Sequence, residues 1–131
     1  MPRKRRVAHV KGGRLHANPI PEAVRIGNTI YSSAISGVDP ATVKAPDDLE
    51  AQVKLCFQHM KELLESVDAS LDDIIKLEVS MTDSSPEKRA VLNKYWLATF
   101  PDEEDRPARH TSQGPLSNNY LIQFEFVAVV E

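Results

Sequence analysis

The stretch from Leu121 to Val130 constrains this chain more than any other. Ile122, Phe124, Phe126, Ala128 and Val130 alternate strictly with Gln123, Glu125, Val127 and Val129. Successive side chains of a strand point to opposite faces, so this is a strand with one wholly apolar face. That face needs a cover of helices. The opposite face mixes polar and apolar residues, and monomers seldom leave a wide apolar sheet face in water. A second subunit is therefore expected to cover it.

Two helices are available as the cover. From about Asp47 to Val67, the residues Leu49, Val53, Phe57, Met60, Leu64 and Val67 recur at steps of three and four. Asp47 and Asp48 suit the positive end of that helix. A second helix starts at Ser84-Ser85-Pro86-Glu87. Pro86 fits the first helical position, and Ser84 with Glu87 has capping-box spacing. Val91, Tyr95 and Ala98, with Leu92 and Trp96 alongside, supply its buried stripe, and it ends near Phe100-Pro101.

Further strands complete the sheet. Ala23–Ile26 and Thr29–Ser33 flank Gly27-Asn28, a hairpin signal. A loop is expected from about Ala34 to Pro46. Ile74–Met81 is rich in β-branched and aliphatic residues and reads as a strand. Ala108–Gln113 is another, joined to the last strand by a turn at Ser117-Asn118-Asn119. The predicted order is β-β-α-β-α-β-β, an α/β (α+β) fold with a mixed sheet of five or six strands and two helices on one face.

At 131 residues the chain is one domain, long enough to bury a core without staples. Its single cysteine, Cys56, excludes an internal disulfide and lies in an apolar stretch, where a buried thiol is expected rather than a nucleophile. No apolar run is long enough to span a bilayer, and the charged N-terminus lacks the apolar region of a secretory signal. A cytoplasmic protein is the expectation. Charge is uneven. The first fourteen residues carry six basic side chains and no acid, while the whole chain is −3, so the remainder is −9. Residues 1–14 are thus read as a basic arm and 15–131 as the domain. The arm could be a solvated tail, could fold back on the acidic body, or could touch nucleic acid. His9, His16 and His59 show no ligand spacing and are expected at the surface, with no metal site.

Several short motifs, in order, resemble the YjgF/Rid family. They are Ile26-Gly27-Asn28 leading to Ser32-Ser33-Ala34, Ala51-Gln52, Leu92-Asn93-Lys94-Tyr95 through Phe100, and Pro107-Ala108-Arg109 before a turn and closing strand. The resemblance runs from about Ala23 to the C-terminus. It implies a chorismate-mutase-like fold and a homotrimer whose sheets form a central barrel. It also implies clefts at the subunit boundaries and neither metal nor organic cofactor. The implied activity is hydrolysis of reactive enamino and imino acids, such as 2-aminoacrylate, to 2-oxo acids and ammonia.

By the same resemblance, Arg109 binds the substrate carboxylate. An arginine fork pairs two-pronged with a carboxylate, which suits that role. Without the resemblance, a salt bridge at a surface or interface is the better explanation of Arg109. Asn93 matches a cleft-lining position and could bond substrate or simply face solvent. Ser33 and Ala34 match the strand end that offers main-chain groups to ligand. The family usually has glycine where Ala34 stands, and a methyl there narrows the cleft. Ile20 falls where a tyrosine often packs on the substrate. Thr111 falls where a main-chain carbonyl holds water. Gln123 falls where deaminases commonly have a glutamate that orients or activates water. An amide can position water but cannot accept its proton. Glu125, two residues on, could substitute in another register, or could serve as an interfacial ion-pairing residue. Two other functions stay open: a trimer that binds small carboxylates without turnover, and RNA binding or translation inhibition through the basic arm.

Overall fold

The computed structural model describes residues 4–131. Arg3 of the basic arm lies outside them. The elements are β1 (Arg6–Val7), β2 (Ala23–Ile26), β3 (Thr29–Ser32), β4 (Ile35–Ser36), α1 (Leu49–Glu65), β5 (Ile74–Met81), α2 (Pro86–Thr99), β6 (Ala108–Gln113) and β7 (Ile122–Val129), with a single 3₁₀ turn at Leu71–Asp73. One sheet runs β1-β2-β3-β7-β5-β6, and β4 also pairs with β7.

The alternating strand β7 lies inside the sheet, antiparallel to β3 and β4 on one side and to β5 on the other. Its residues Ile122, Phe124, Phe126 and Ala128 are buried, as the alternation requires. α1 covers them with Val53, Cys56, Phe57, Met60, Leu63 and Leu64. The Phe57 ring meets Phe124 edge-on at 5.1 Å, a favoured aromatic geometry. α2 is the crossover that allows β5 and β6 to run parallel. The sheet is therefore mixed, with both helices on one face.

The turn chemistry explains the hairpin. Gly27 has φ +57 between Ile26 and Thr29, which pair directly. Glycine carries no Cβ penalty at such an angle. Gly37 answers a different need. A Cβ there would lie 2.3 Å from the Gln52 carbonyl oxygen, so only glycine lets this loop rest against α1.

Five expectations need correction. The loop from Ala34 to Pro46 contains β4, whose Ile35 and Ser36 pair with Phe124 and Gln123. The α2 cap is Ser85, whose hydroxyl accepts from the Lys88 amide. Ser84 instead bonds the Gln113 side-chain oxygen through its amide and hydroxyl. In α2 only Leu92 and Trp96 are buried, while Ala98 is exposed. The Ser117–Asn119 turn, with Asn118 at φ +54, does not close a hairpin. It carries the chain past β5, which separates β6 from β7. Finally, His59 is 3% exposed, with Nε2 2.7 Å from the Val38 carbonyl. It sits on the inward face of α1 and ties the β4 loop to that helix. His9 is exposed and His16 is half-buried.

The N-terminal segment packs on the body. β1 pairs with β2, Ala8, Val10 and Leu15 join the core, and Arg6 bonds Asp68 at 2.8 Å. Among the described residues no helix is long and apolar enough to cross a membrane. The face of the sheet away from the helices carries Tyr31 at 58% and Val129 at 38% exposure.

Candidate functional site

Arg109 lies in β6, the strand at the end of the sheet, in register with the fully buried Leu77 of β5. Paired residues of neighbouring strands share a face, so Arg109 points to the helix side. Its guanidinium stacks on Trp96 of α2, 4.9 Å from the ring centroid. One guanidinium nitrogen, Nη1, is buried without a hydrogen-bond partner. Among the described residues no carboxylate forms an ion pair with Arg109. Burial, and then the like charge of Arg89, lower its pKa from the ordinary arginine value. An arginine remains charged in such surroundings. The result is an unneutralised cation held by an aromatic wall and short of one acceptor.

Helical spacing adds to this corner. Arg89, Asn93 and Trp96 follow at steps of four and three, so they share one side of α2. Asn93 is half-buried, and Thr111 lies on the same strand face as Arg109, two residues on. Arg89 and Trp96 were not singled out from sequence. Their spacing from Asn93 was the available signal, but Trp96 reads first as a core residue and Arg89 as a solvated one.

Gln123 lies elsewhere. It pairs with Ser36 of β4 and Ser80 of β5, on the face away from the helices. Its amide nitrogen donates to the Ser36 hydroxyl at 2.8 Å. It lines a cavity of about 630 Å³ together with His16, Asn18, Ser36, Lys44 and Tyr120. Arg109 does not reach this cavity. The two residues are two strands apart and three residues out of register, which gives roughly 14 Å between their Cα atoms. They also face opposite sides of the sheet.

The remaining candidates divide as follows. Ser33 and Ala34 occupy the step between β3 and β4. The Ser33 hydroxyl donates to the Pro21 carbonyl and its amide to the Glu22 carbonyl, so its donors are engaged. Ile20 is 42% exposed on the preceding loop. Glu125 is exposed directly opposite Glu78, and it lines a separate hollow of about 210 Å³ with Tyr31, Lys76 and Glu78. It does not join Gln123. His110 pairs with Glu78, on the opposite side of β6 from Arg109. Burial pushes the Cys56 thiol pKa up, which makes it a poor nucleophile. Among the described residues no group of three or more His, Cys, Asp or Glu could hold a metal ion.

One buried side chain shapes the larger cavity. Gln52 is fully buried in α1. It donates to the carbonyls of Pro46 and Asn119, and accepts from the Leu121 amide. Asn119 in turn donates to the Ala45 carbonyl and the Asp47 carboxylate. The 40s loop and the 117–120 turn are thereby fixed to each other and to the helix.

Comparison with known proteins agrees with this architecture. The family model described as Endoribonuclease L-PSP matches residues 14–130. A RutC family protein of Pyrococcus abyssi is 30% identical over 115 residues, covering 86% of this chain and 87% of that one. A 2-iminobutanoate/2-iminopropanoate deaminase of Escherichia coli strain K12 is 28% identical, covering 85% and 87% respectively. The crystal structure of RidA from an Antarctic Psychrobacter superposes with a TM-score of 0.84 at 29% identity, over 96% of this chain and all of that one. A match over nearly the whole domain, on a shared sheet and helix arrangement, makes this chain a member of the Endoribonuclease L-PSP family, the YjgF/Rid proteins.

Proposed function

We propose that this protein hydrolyses reactive 2-enamino and 2-imino acids to 2-oxo acids and ammonia. Arg109 carries the reading: a guanidinium stacked on Trp96, with a buried nitrogen lacking a partner, is poised for a carboxylate. An imino acid bears a carboxylate beside its C=N carbon. Clasping it fixes that carbon for attack by water. Water adds to the carbon, its protons pass to nitrogen, and ammonia leaves as the C=O bond forms. Relatives that are imine deaminases support the same chemistry.

The separation of Arg109 from Gln123 bears on assembly. A three-carbon imino acid cannot span roughly 14 Å, so both residues can act on it only if they come from different chains. We take the complete site to form at the boundary between protomers of a homotrimer, with Arg109, Asn93 and Thr111 from one. Gln123, with Ser33, Ala34 and Ile20, comes from its neighbour. Gln123 then positions the attacking water.

The test is to generate 2-aminoacrylate enzymatically and follow its decay. Arg109→Ala should lower kcat/KM about a hundredfold, since two charge-assisted hydrogen bonds are lost. Equal decay with wild type and variant would remove this activity. Gln123 favours a second reading, a trimer that binds small carboxylates without turnover. Its amide nitrogen is held by Ser36, and the remaining carbonyl oxygen cannot take a proton from water. Packing does not favour RNA binding through the basic arm. Arg6 is paired with Asp68 and Arg14 bonds the Asn18 carbonyl.

A further inference from the structure

We infer that the cavity beside Gln123 receives the far end of the substrate, and that this end bears a second acid group. The inference rests on the reading that Gln123 stands next to the reacting carbon. The cavity, at about 630 Å³, lies in the range that encloses drug-sized ligands. In a single chain the hollow is larger than a three-carbon imino acid fills.

The walls define the ligand's chemistry. Among the described residues no aspartate or glutamate lines the cavity, although the chain carries 19 acidic residues against 16 basic ones. Lys44 does line it, and among the described residues no carboxylate pairs with Lys44. Acids adjoining these segments in the sequence are engaged by other partners. Asp39 accepts from the Ala41 amide, Asp47 from the Asn119 side chain, and Glu22 from the Leu15 amide. His16 adds a second polar group. Its ring lines the hollow, while its Nε2 is buried behind the wall without a hydrogen-bond partner. The remaining polar side chains of the lining, among them Ser36, Asn118, Tyr120 and Gln123, are uncharged.

The wall is also held in an unusual shape. Val43 and Asn118 both line the cavity, with φ of +56 and +54. For a β-branched residue such as Val43 this is a costly angle. The Gln52 and Asn119 hydrogen bonds hold the two loops to each other and to α1. The arrangement presents Lys44 as an uncompensated cation over a polar, acid-free hollow. A neutral side chain would use none of that charge. A carboxylate at the end of a 2-imino diacid would use Lys44, and the corresponding product is a 2-oxo diacid.

Calorimetry on the full chain tests this with two stable probes, 2-oxobutanoate and 2-oxoglutarate. Wild type should bind the diacid about tenfold more tightly than the monoacid, as one added charge-assisted contact implies. Lys44→Gln should reduce that ratio to near one, and Lys44→Arg should restore most of it. Lys44 is exposed, so the fold should survive both changes. A wild-type ratio near one, or a ratio unmoved by Lys44→Gln, overturns the inference while leaving the deaminase reading in place. If both probes bind Arg109→Ala as tightly as wild type, or neither binds wild type, the underlying reading of the site fails and the inference fails with it.

Discussion

A single oxygen-for-nitrogen difference separates Gln123 from the glutamate expected in this family. The Ser36 hydroxyl, 2.8 Å from the Gln123 amide nitrogen, could donate to a carboxylate in the same place. Gln123→Glu should therefore fit without rearrangement and supply a base for the attacking water. We expect it to raise kcat on 2-aminoacrylate about tenfold, which is modest for a general base because imines already hydrolyse in water. A pH–rate profile should gain an acidic limb that wild type lacks. Unchanged kcat would mean that positioning alone limits the reaction. Residues at this scale were unevenly legible. Arg109 stood out through its Pro107-Ala108 context. His59 did not, because no pattern of one-letter codes reveals that the Val38 carbonyl waits 2.7 Å away. Arg89 and Trp96 gain meaning only once α2 is laid against β6.

Among the elements, the two helices are joined at the surface by one acid. Glu50 of α1 accepts from Lys94 and from the Tyr95 hydroxyl of α2, each at 2.8 Å. Those hydrogen bonds, with the Lys94 charge, lower the Glu50 pKa below its ordinary 4.5, while Lys94 and Tyr95 are raised. A depressed carboxyl pKa in the folded state means stability that is present above the unfolded pKa and lost as pH falls through the folded one. Glu50→Gln should thus be less stable than wild type at pH 7, and the gap should close in acid well below pH 4.5. Denaturant midpoints at both pH values check it, and a gap that persists in acid would show that packing, not charge, is responsible. The helices and long strands could be anticipated because each extends far enough to show its period. β4 is only Ile35 and Ser36, too short for any period. The choice between Ser84 and Ser85 as cap depended on Gln113, 29 residues away, claiming Ser84. The path from β6 to β7 could not be anticipated either, since strand adjacency is decided by which faces fit and not by the turn between them.

At the scale of the whole molecule, the sheet face away from the helices has no cover in a single chain. Tyr31, Val127 and Val129 make it partly apolar, and Glu78 stands directly across from Glu125. Like charges opposite each other are unfavourable in an isolated sheet. Sedimentation should give a mass of three chains, and Val129→Asp should shift the species toward single chains by charging the face proposed for contact. A monomeric wild type would contradict the shared-site proposal directly. The fold class was legible from the sequence because one alternating strand and two striped helices leave few arrangements. In the sequence, the proposed association rests only on a leftover face.

Arg109 and Gln123 look to opposite sides of one sheet, roughly 14 Å apart by strand geometry. On the shared-site reading, a solitary chain owns two incomplete halves and no working whole. Output would then fall more steeply than protein abundance as a cell makes less of it. A defective copy produced beside a sound one would spoil more than its own share.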